Sequence, residues 1–169
     1  MLHRSVSRLV DDLIAAEKEI GGHPDWQHTE YDPTELRMLM PLLIDGVSSG
    51  AQIEVKSYPS ITPMKFRLML IMEKCIFRID FVVDETHTNS LDRPSDLYIT
   101  MIRGPHYHSW YDNKRFCTQS TLPDRLKNAR VVPADLRTFD NVFRWFCGEL
   151  NIVQPPPGYV DLPRRTTLL

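Results

Sequence analysis

Cysteine is scarce and badly placed for cross-linking. Only Cys75, Cys117 and Cys147 occur, odd in number and far apart, which excludes a disulfide scaffold and a Cys-x-x-Cys zinc site and favours a reducing compartment. Long apolar runs are missing too. The longest candidate, residues 39–44, is broken by Pro41, so no membrane span is expected. Residues 2–20 alternate charge with apolar side chains instead of forming the continuous block of a signal peptide. No glycine-rich phosphate loop, dinucleotide fingerprint or Gly-x-Ser-x-Gly elbow occurs, and no internal repeat is visible. What remains is 169 residues, 42% hydrophobic and 25% charged, the length and mix of one soluble domain. The expectation is a cytoplasmic protein without a membrane partner.

Charge of either sign is nearly balanced, with a formal net of −2, but it is unevenly spread. Residues 1–50 carry nine acids against four basic residues, whereas residues 97–130 carry six basic residues against Asp112 and Asp124. Arginine supplies 14 of the 20 basic side chains, and its planar fork suits bidentate phosphate contacts. An ordinary solvated surface is the plain alternative.

Leu2, Val6, Leu9, Val10, Leu13 and Ile20 recur at helical spacing and stop at Gly21-Gly22, predicting a helix over residues 2–20. Asp32-Pro-Thr-Glu35 resembles a helix start, but Pro41 limits it to one turn before an edge strand over 37–45. Strands are expected over 52–57, 65–73 and 75–83, the last two as a hairpin turning near Glu73-Lys74. Phe66, Leu68 and Leu70 share one face, and Arg78 and Asp80 share another. A loop over 86–95 leads to a strand over 96–103 and a continuation over 107–116. Leu136, Phe139, Phe143, Phe146, Cys147 and Leu150 form the apolar stripe of a helix over 134–150. Its phenylalanines are expected to pack on Leu68, Leu70 and Ile79. Pro155-Pro-Pro-Gly158 ends the regular structure. The fold class is therefore α+β: an N-terminal helix, an antiparallel meander of about five to six strands, a C-terminal helix packed on the sheet, and an extended proline-rich tail. Residues 1–152 form the single domain and 153–169 the tail, docked through Tyr159 and Leu162.

The densest polar cluster is Arg103-Gly-Pro-His106-Tyr-His108-Ser-Trp110-Tyr-Asp112-Asn-Lys-Arg115. On a strand, His106, His108 and Trp110 share one face, with Tyr107 and Ser109 on the other. Two imidazoles beside arginines suit acid–base chemistry at a phosphate: one takes a proton from a nucleophilic hydroxyl while the other donates to the leaving oxygen. Arg78, Arg103 and Arg115 are candidate phosphate ligands, with Lys114 beside them, and Tyr107 and Trp110 are candidates to stack on bases. Asp80 is placed to orient a histidine, and His87 and Asn89 to contact substrate. The same histidine pair, completed by His87 or Asp80, has the ligand types of a zinc site, but the arginine-rich surroundings oppose a dication, so neither metal nor cofactor is expected. Alternatively the aromatics are core and the cluster is structural.

Arg78-Ile-Asp80, His87-Thr-Asn89, Gly104-Pro-His106-Tyr-His108 and the closing helix ending in Cys-Gly-Glu-Leu-Asn-Ile occur in a familiar order. Over residues 66–152 this order resembles the TumE-like, RelE-related toxins of bacterial toxin–antitoxin pairs, in which Arg-x-Asp-Asn precedes Pro-His-x-His. Phe81 stands where Asn belongs in that pattern. The resemblance implies a metal-independent endoribonuclease that directs a ribose 2′-hydroxyl onto the adjacent phosphate, with His106 and His108 as acid and base. It implies RNA and a cognate antitoxin as partners. A non-catalytic interaction protein of a prophage or defence system, or a small His-ligated metal-binding protein, is the alternative.

Overall fold

Alternation of apolar and polar side chains along adjacent strands builds a sheet with one oily and one charged face. A computed structural model describes residues 5–61 and 64–163. In chain order the elements are α1 (Val6–Ala15), β1 (Glu19–Ile20), β2 (Gln27–His28), β3 (Leu36–Ile44), β4 (Val47–Ser57), β5 (Phe66–Met72), β6 (Lys74–Phe81), β7 (Thr86–Thr88), β8 (Met101–Arg103), β9 (His106–His108), α2 (Trp110–Asn113), β10 (Arg130–Val131) and α3 (Phe139–Glu149). The class is α+β. An eight-stranded sheet runs β1-β3-β4-β5-β6-β9-β10, with β2 also pairing β3, and β7-β8 form a separate ribbon. All strand pairs are antiparallel. Two-residue strands at the edges account for the excess over the expected five to six. Among the described residues no helix is long and apolar enough to cross a membrane.

The inward residues include those of the predicted alternation, Phe66, Leu68, Leu70, Phe77 and Ile79, joined by Met38 and Met40 of β3 and Ile53 and Val55 of β4. Val10 and Leu13 of α1 and Phe139, Val142, Phe143 and Phe146 of α3 join them in one buried cluster. The aromatic contacts run from Phe139 to Phe66 and from Phe146 to Phe77, each edge-to-face. Thr138 caps α3 by accepting from the Asn141 amide. The helix therefore begins five residues later than the apolar stripe suggested, because Leu136 belongs to a turn after Pro133.

Three other expectations are corrected. Helix α1 ends at Ala15, not at the diglycine, and the part of that expectation falling on residues 1–4 lies outside the described residues. Pairing decides the matter: Glu19 and Ile20 hydrogen-bond β3 opposite Leu43 and Leu42. Buried Lys18 turns its ammonium back onto the carbonyls of Leu13 and Ile14, closing the helix C-terminus. The segment 96–103 is strand only in β8, and β7 lies in what was expected to be loop. Most consequential is the end of β9. Ser109 accepts from the Asp112 amide and starts α2, so Trp110 leaves the histidine face. Its indole donates to Asp11, 2.8 Å away in α1.

The tail docks as far as it is described. The Tyr159 hydroxyl donates to Gly22, Trp26 donates to the Asp161 carbonyl, and Leu162 packs on the core. Residues 164–169 of the expected tail lie outside the described residues.

Phe143 is 3% exposed and stacks between Phe139 and Phe146. Truncation to alanine is expected to cost about 3–5 kcal/mol. Equilibrium denaturation of Phe143→Ala measures it, and a loss below about 1 kcal/mol would refute this placement of the α3 face.

Candidate functional site

Opposite the oily face, register lines polar side chains in two rows across the sheet. One row reads Arg37, Lys56, Arg67, Asp80, His106; the next reads Glu54, Met69, Arg78, His108. Asp80 is fully buried and lies at the centre. Its Oδ2 is 2.7 Å from Arg78 Nε and 3.4 Å from Nε2 of both His106 and His108. Its Oδ1 is 2.8 Å from Arg67 Nε, a close ion pair whose angle is not that of a hydrogen bond. Arg67 also reaches Glu85 at 3.2 Å.

The β7–β8 ribbon brings a third imidazole. His87 stacks on His106 at 5.2 Å and stands edge-on to His108 at 4.7 Å between ring centroids. One ligand atom from each ring lies within 4.8 Å of those of the other two. Each ring is tethered by a backbone carbonyl: His106 Nδ1 to Gly104 at 2.9 Å, His108 Nδ1 to Asn128 at 3.0 Å, and His87 Nε2 to Lys127 at 3.1 Å. A carbonyl only accepts, so those nitrogens carry the hydrogens. In the neutral rings the lone pairs fall on His106 Nε2, His108 Nε2 and His87 Nδ1.

The tethers are themselves built. Gly104 has φ +92°, a region that side chains rarely adopt, and this aims its carbonyl back at His106. Buried Asn113 and Asn128 bond each other through two backbone contacts of 2.8 Å, which holds the Asn128 carbonyl against His108. Asn89 bridges the Ile99 and Ala129 carbonyls and accepts from the Ala129 amide, fixing β7 to the segment that tethers His87.

Electrostatics set the protonation states. Burial alone would raise the Asp80 carboxyl, but the Arg78 and Arg67 guanidiniums beside it hold it well below the usual carboxylate range. Burial pushes His108 down to about 4, outweighing the Asp80 contribution. Arg78 and Asp80 make opposite demands on His108 Nε2. The 2.9 Å bond from Arg78 Nη2, shorter than the 3.4 Å approach of Asp80, goes with the neutral ring. Burial lowers His87 as well. Beside the cluster opens a groove of about 570 Å³ lined by Arg78, His87, Thr88, Ser90, Arg125 and Lys127, among others. Asp124 on its rim pairs with Lys74.

Five sequence candidates thus meet: Arg78, Asp80, His87, His106 and His108. The others do not. Arg103 is exposed on β8, outside the residues lining the groove. Arg115 pairs with Asp92, and Lys114 lies 3.6 Å from Asp11 near a different cavity. Tyr107 faces the core against Phe77 and Trp145, because alternation opposes it to the histidines. Trp110 is buried in α2. Asn89 stands behind the site as a brace. Arg67 was missed, although its alternation with Phe66 and Leu68 marks it for the charged face. No family profile matches the chain, and no curated protein or solved structure matches it significantly.

Below pH 6.5 the unfolded chain binds a proton at His108 that the folded protein refuses until about pH 4. Stability is therefore lost as the pH falls through that window, by about 3 kcal/mol from this residue. Urea denaturation in chelator across pH 4–7 is expected to show the slope, and His108→Gln to flatten it. An unchanged slope in the variant would contradict this assignment.

Proposed function

We propose that the chain is a metal-dependent protein whose centre is a divalent transition ion, zinc or a first-row neighbour, held by His87, His106 and His108. One observation carries the reading: all three rings are locked by backbone carbonyls, and one nitrogen of each lies within 4.8 Å of the others, the second His108 nitrogen being bonded by Arg78 until an ion takes it. Metal-ligating histidines characteristically donate their other ring N–H to such an acceptor. Zn–N bonds of about 2.0–2.1 Å place tetrahedral ligand atoms about 3.4 Å apart. The three ring nitrogens lie within 4.8 Å of one another and draw in to reach that spacing. Any contraction among the rings falls most easily on His87, the half-buried one.

Arginine near a dication opposes this reading, and magnitudes decide. Arg67 and Arg78 are matched by Asp80 and Glu85, so the four charges sum to zero. Each unit repulsion at 4 Å is worth about 4 kcal/mol at an effective dielectric near 20, and the acids offset most of it. Structural zinc binds with about 10–16 kcal/mol. A neutral His108 also has no proton to release. Three histidines with an accessible groove are the ligand set of hydrolytic zinc, which keeps a position for water and lowers its pKa to about 7.

A second reading, metal-independent RNA cleavage by a cytoplasmic toxin-like protein with an antitoxin partner, is favoured by the basic groove of Arg78, Arg125 and Lys127 beside His87. It carries a difficulty of its own: His106 and His108 are 1% and 0% exposed, so substrate would reach only His87 and Arg78.

Protein purified with zinc supplementation and dialysed against metal-free buffer is expected to retain about one zinc per chain by mass spectrometry. His87→Ala, the least buried ligand, is expected to weaken zinc at least about 100-fold while remaining folded. Absence of bound metal together with no zinc-induced rise in melting temperature would overturn the proposal. RNA cleavage that persists in chelator and leaves 2′,3′-cyclic phosphate ends would establish the second reading instead.

A further inference from the structure

Resting on the metal reading, we infer that the loaded centre binds the phosphate group of an ester or of free phosphate, held between the ion and Arg78, and that metal and anion bind cooperatively. Arg78 is the hinge of the argument. Its Nη2 donates to His108 Nε2 at 2.9 Å and its Nε to Asp80 at 2.7 Å. A cation that takes the His108 lone pair must displace the first of these bonds. The guanidinium then has free donors on the groove side, where it already forms part of the wall.

Charge says what those donors would meet. The Asp80, Glu85, Arg67 and Arg78 charges cancel, so a divalent ion leaves the centre at +2. Arg125 and Lys127 add two more positive charges at the rim, while Asp124 is paired with Lys74. An excess of this size in a half-buried site calls for a multiply charged anion, not for a neutral ligand or a single carboxylate. A tetrahedral oxyanion can bridge metal and arginine, one oxygen on the ion and two on the planar fork. The Thr88 and Ser90 hydroxyls line the same groove, and its volume of about 570 Å³ leaves room for the organic part of an ester.

Cooperativity follows from the same bond. Metal alone must break the Arg78–His108 contact and leave a guanidinium facing a dication. Phosphate gives that guanidinium a new partner and screens the repulsion. By reciprocity the anion tightens the metal as much as the metal tightens the anion.

Calorimetric zinc titrations at chelator-buffered free zinc, in chloride and then in saturating inorganic phosphate, test this. Zinc affinity is expected to rise about tenfold with phosphate, and phosphate affinity to rise by the same factor with zinc. Phenyl phosphate in a parallel arm separates an ester site from one for the free ion: tighter binding of phenyl phosphate marks the ester. Arg78→Gln is expected to bind zinc without loss yet show no coupling. Arg125→Gln with Lys127→Gln, both on the exposed rim, is expected to weaken phosphate while keeping zinc, which serves if Arg78→Gln fails to fold. Arg144→Gln, on the distant α3, is the unchanged control. Zinc binding that ignores phosphate would overturn the inference and leave the metal reading standing. No zinc binding would overturn both, and phosphate binding undiminished by chelator would overturn the coupling specifically.

Discussion

A carboxylate with no access to water sits in the middle of the charged face of the sheet, and the arrangement around it is organised to keep it ionised. Taking such a group out of water costs several kcal/mol even after relaxation, and deleting one partner of a buried pair costs about 3–5 kcal/mol. Asp80 meets this demand with Arg67 on the strand before it and Arg78 two residues earlier on its own strand, while the Nε2 atoms of two imidazoles on the strand after it lie 3.4 Å away. These contacts require β5, β6 and β9 to be neighbours in one register. A slip of one residue would turn Asp80 into the phenylalanine core and Ile79 into the arginines. The ionic centre and the oily core therefore specify the same pairing from opposite faces.

Around this centre the irregular segments act as scaffolding. The connection from β7 to β8 and the stretch from α2 to β10 are held by asparagine side chains bonding backbone, with Asn89, Asn113 and Asn128 all buried. Such bonds replace the ladder hydrogen bonds that a loop lacks, and together with the positive φ of Gly104 they aim three carbonyls at three rings. The rings gain a fixed tautomer and a fixed direction. Three imidazoles meet there, buried His106 and His108 and half-buried His87, with the second His108 nitrogen bonded by Arg78.

The charge pattern is also layered. Within the centre, positive and negative groups cancel; at the groove the balance is positive through Arg125 and Lys127. An inner neutral cluster with a basic mouth presents a positive potential to anions without destabilising the fold by net charge. The burial of His106 and His108 separates two ideas that the residue types alone leave merged. Proton transfer to a polymer needs rings that the polymer can touch, whereas holding an ion needs rings that the solvent cannot disturb.

Much of this was legible in the chain. Alternation in residues 66–81 fixed which side chains face inward, and the same alternation put His106 and His108 together and Tyr107 opposite them. Pro41 limited the ambiguous segment to strand, although β3 is not the edge expected because β1 and β2 pair its other side, and the phenylalanine stripe found α3. The length of α1 misled, because helical spacing through Ile20 is indifferent to whether another strand claims Glu19 and Ile20. Trp110 misled because a serine cap three residues before an aspartate ended β9 sooner than strand-forming aromatics suggested. Local propensity and period, set by backbone sterics and by the alternation of Cβ directions, determined the elements and their faces. Which faces meet was a tertiary decision: His87 reaches His106 and His108 because Asn89 and Asn128 anchor distant loops, and Arg67 reaches Asp80 because two strands pair. Contacts of long sequence separation are selected by the burial and hydrogen bonding of the whole fold, which no window of residues contains.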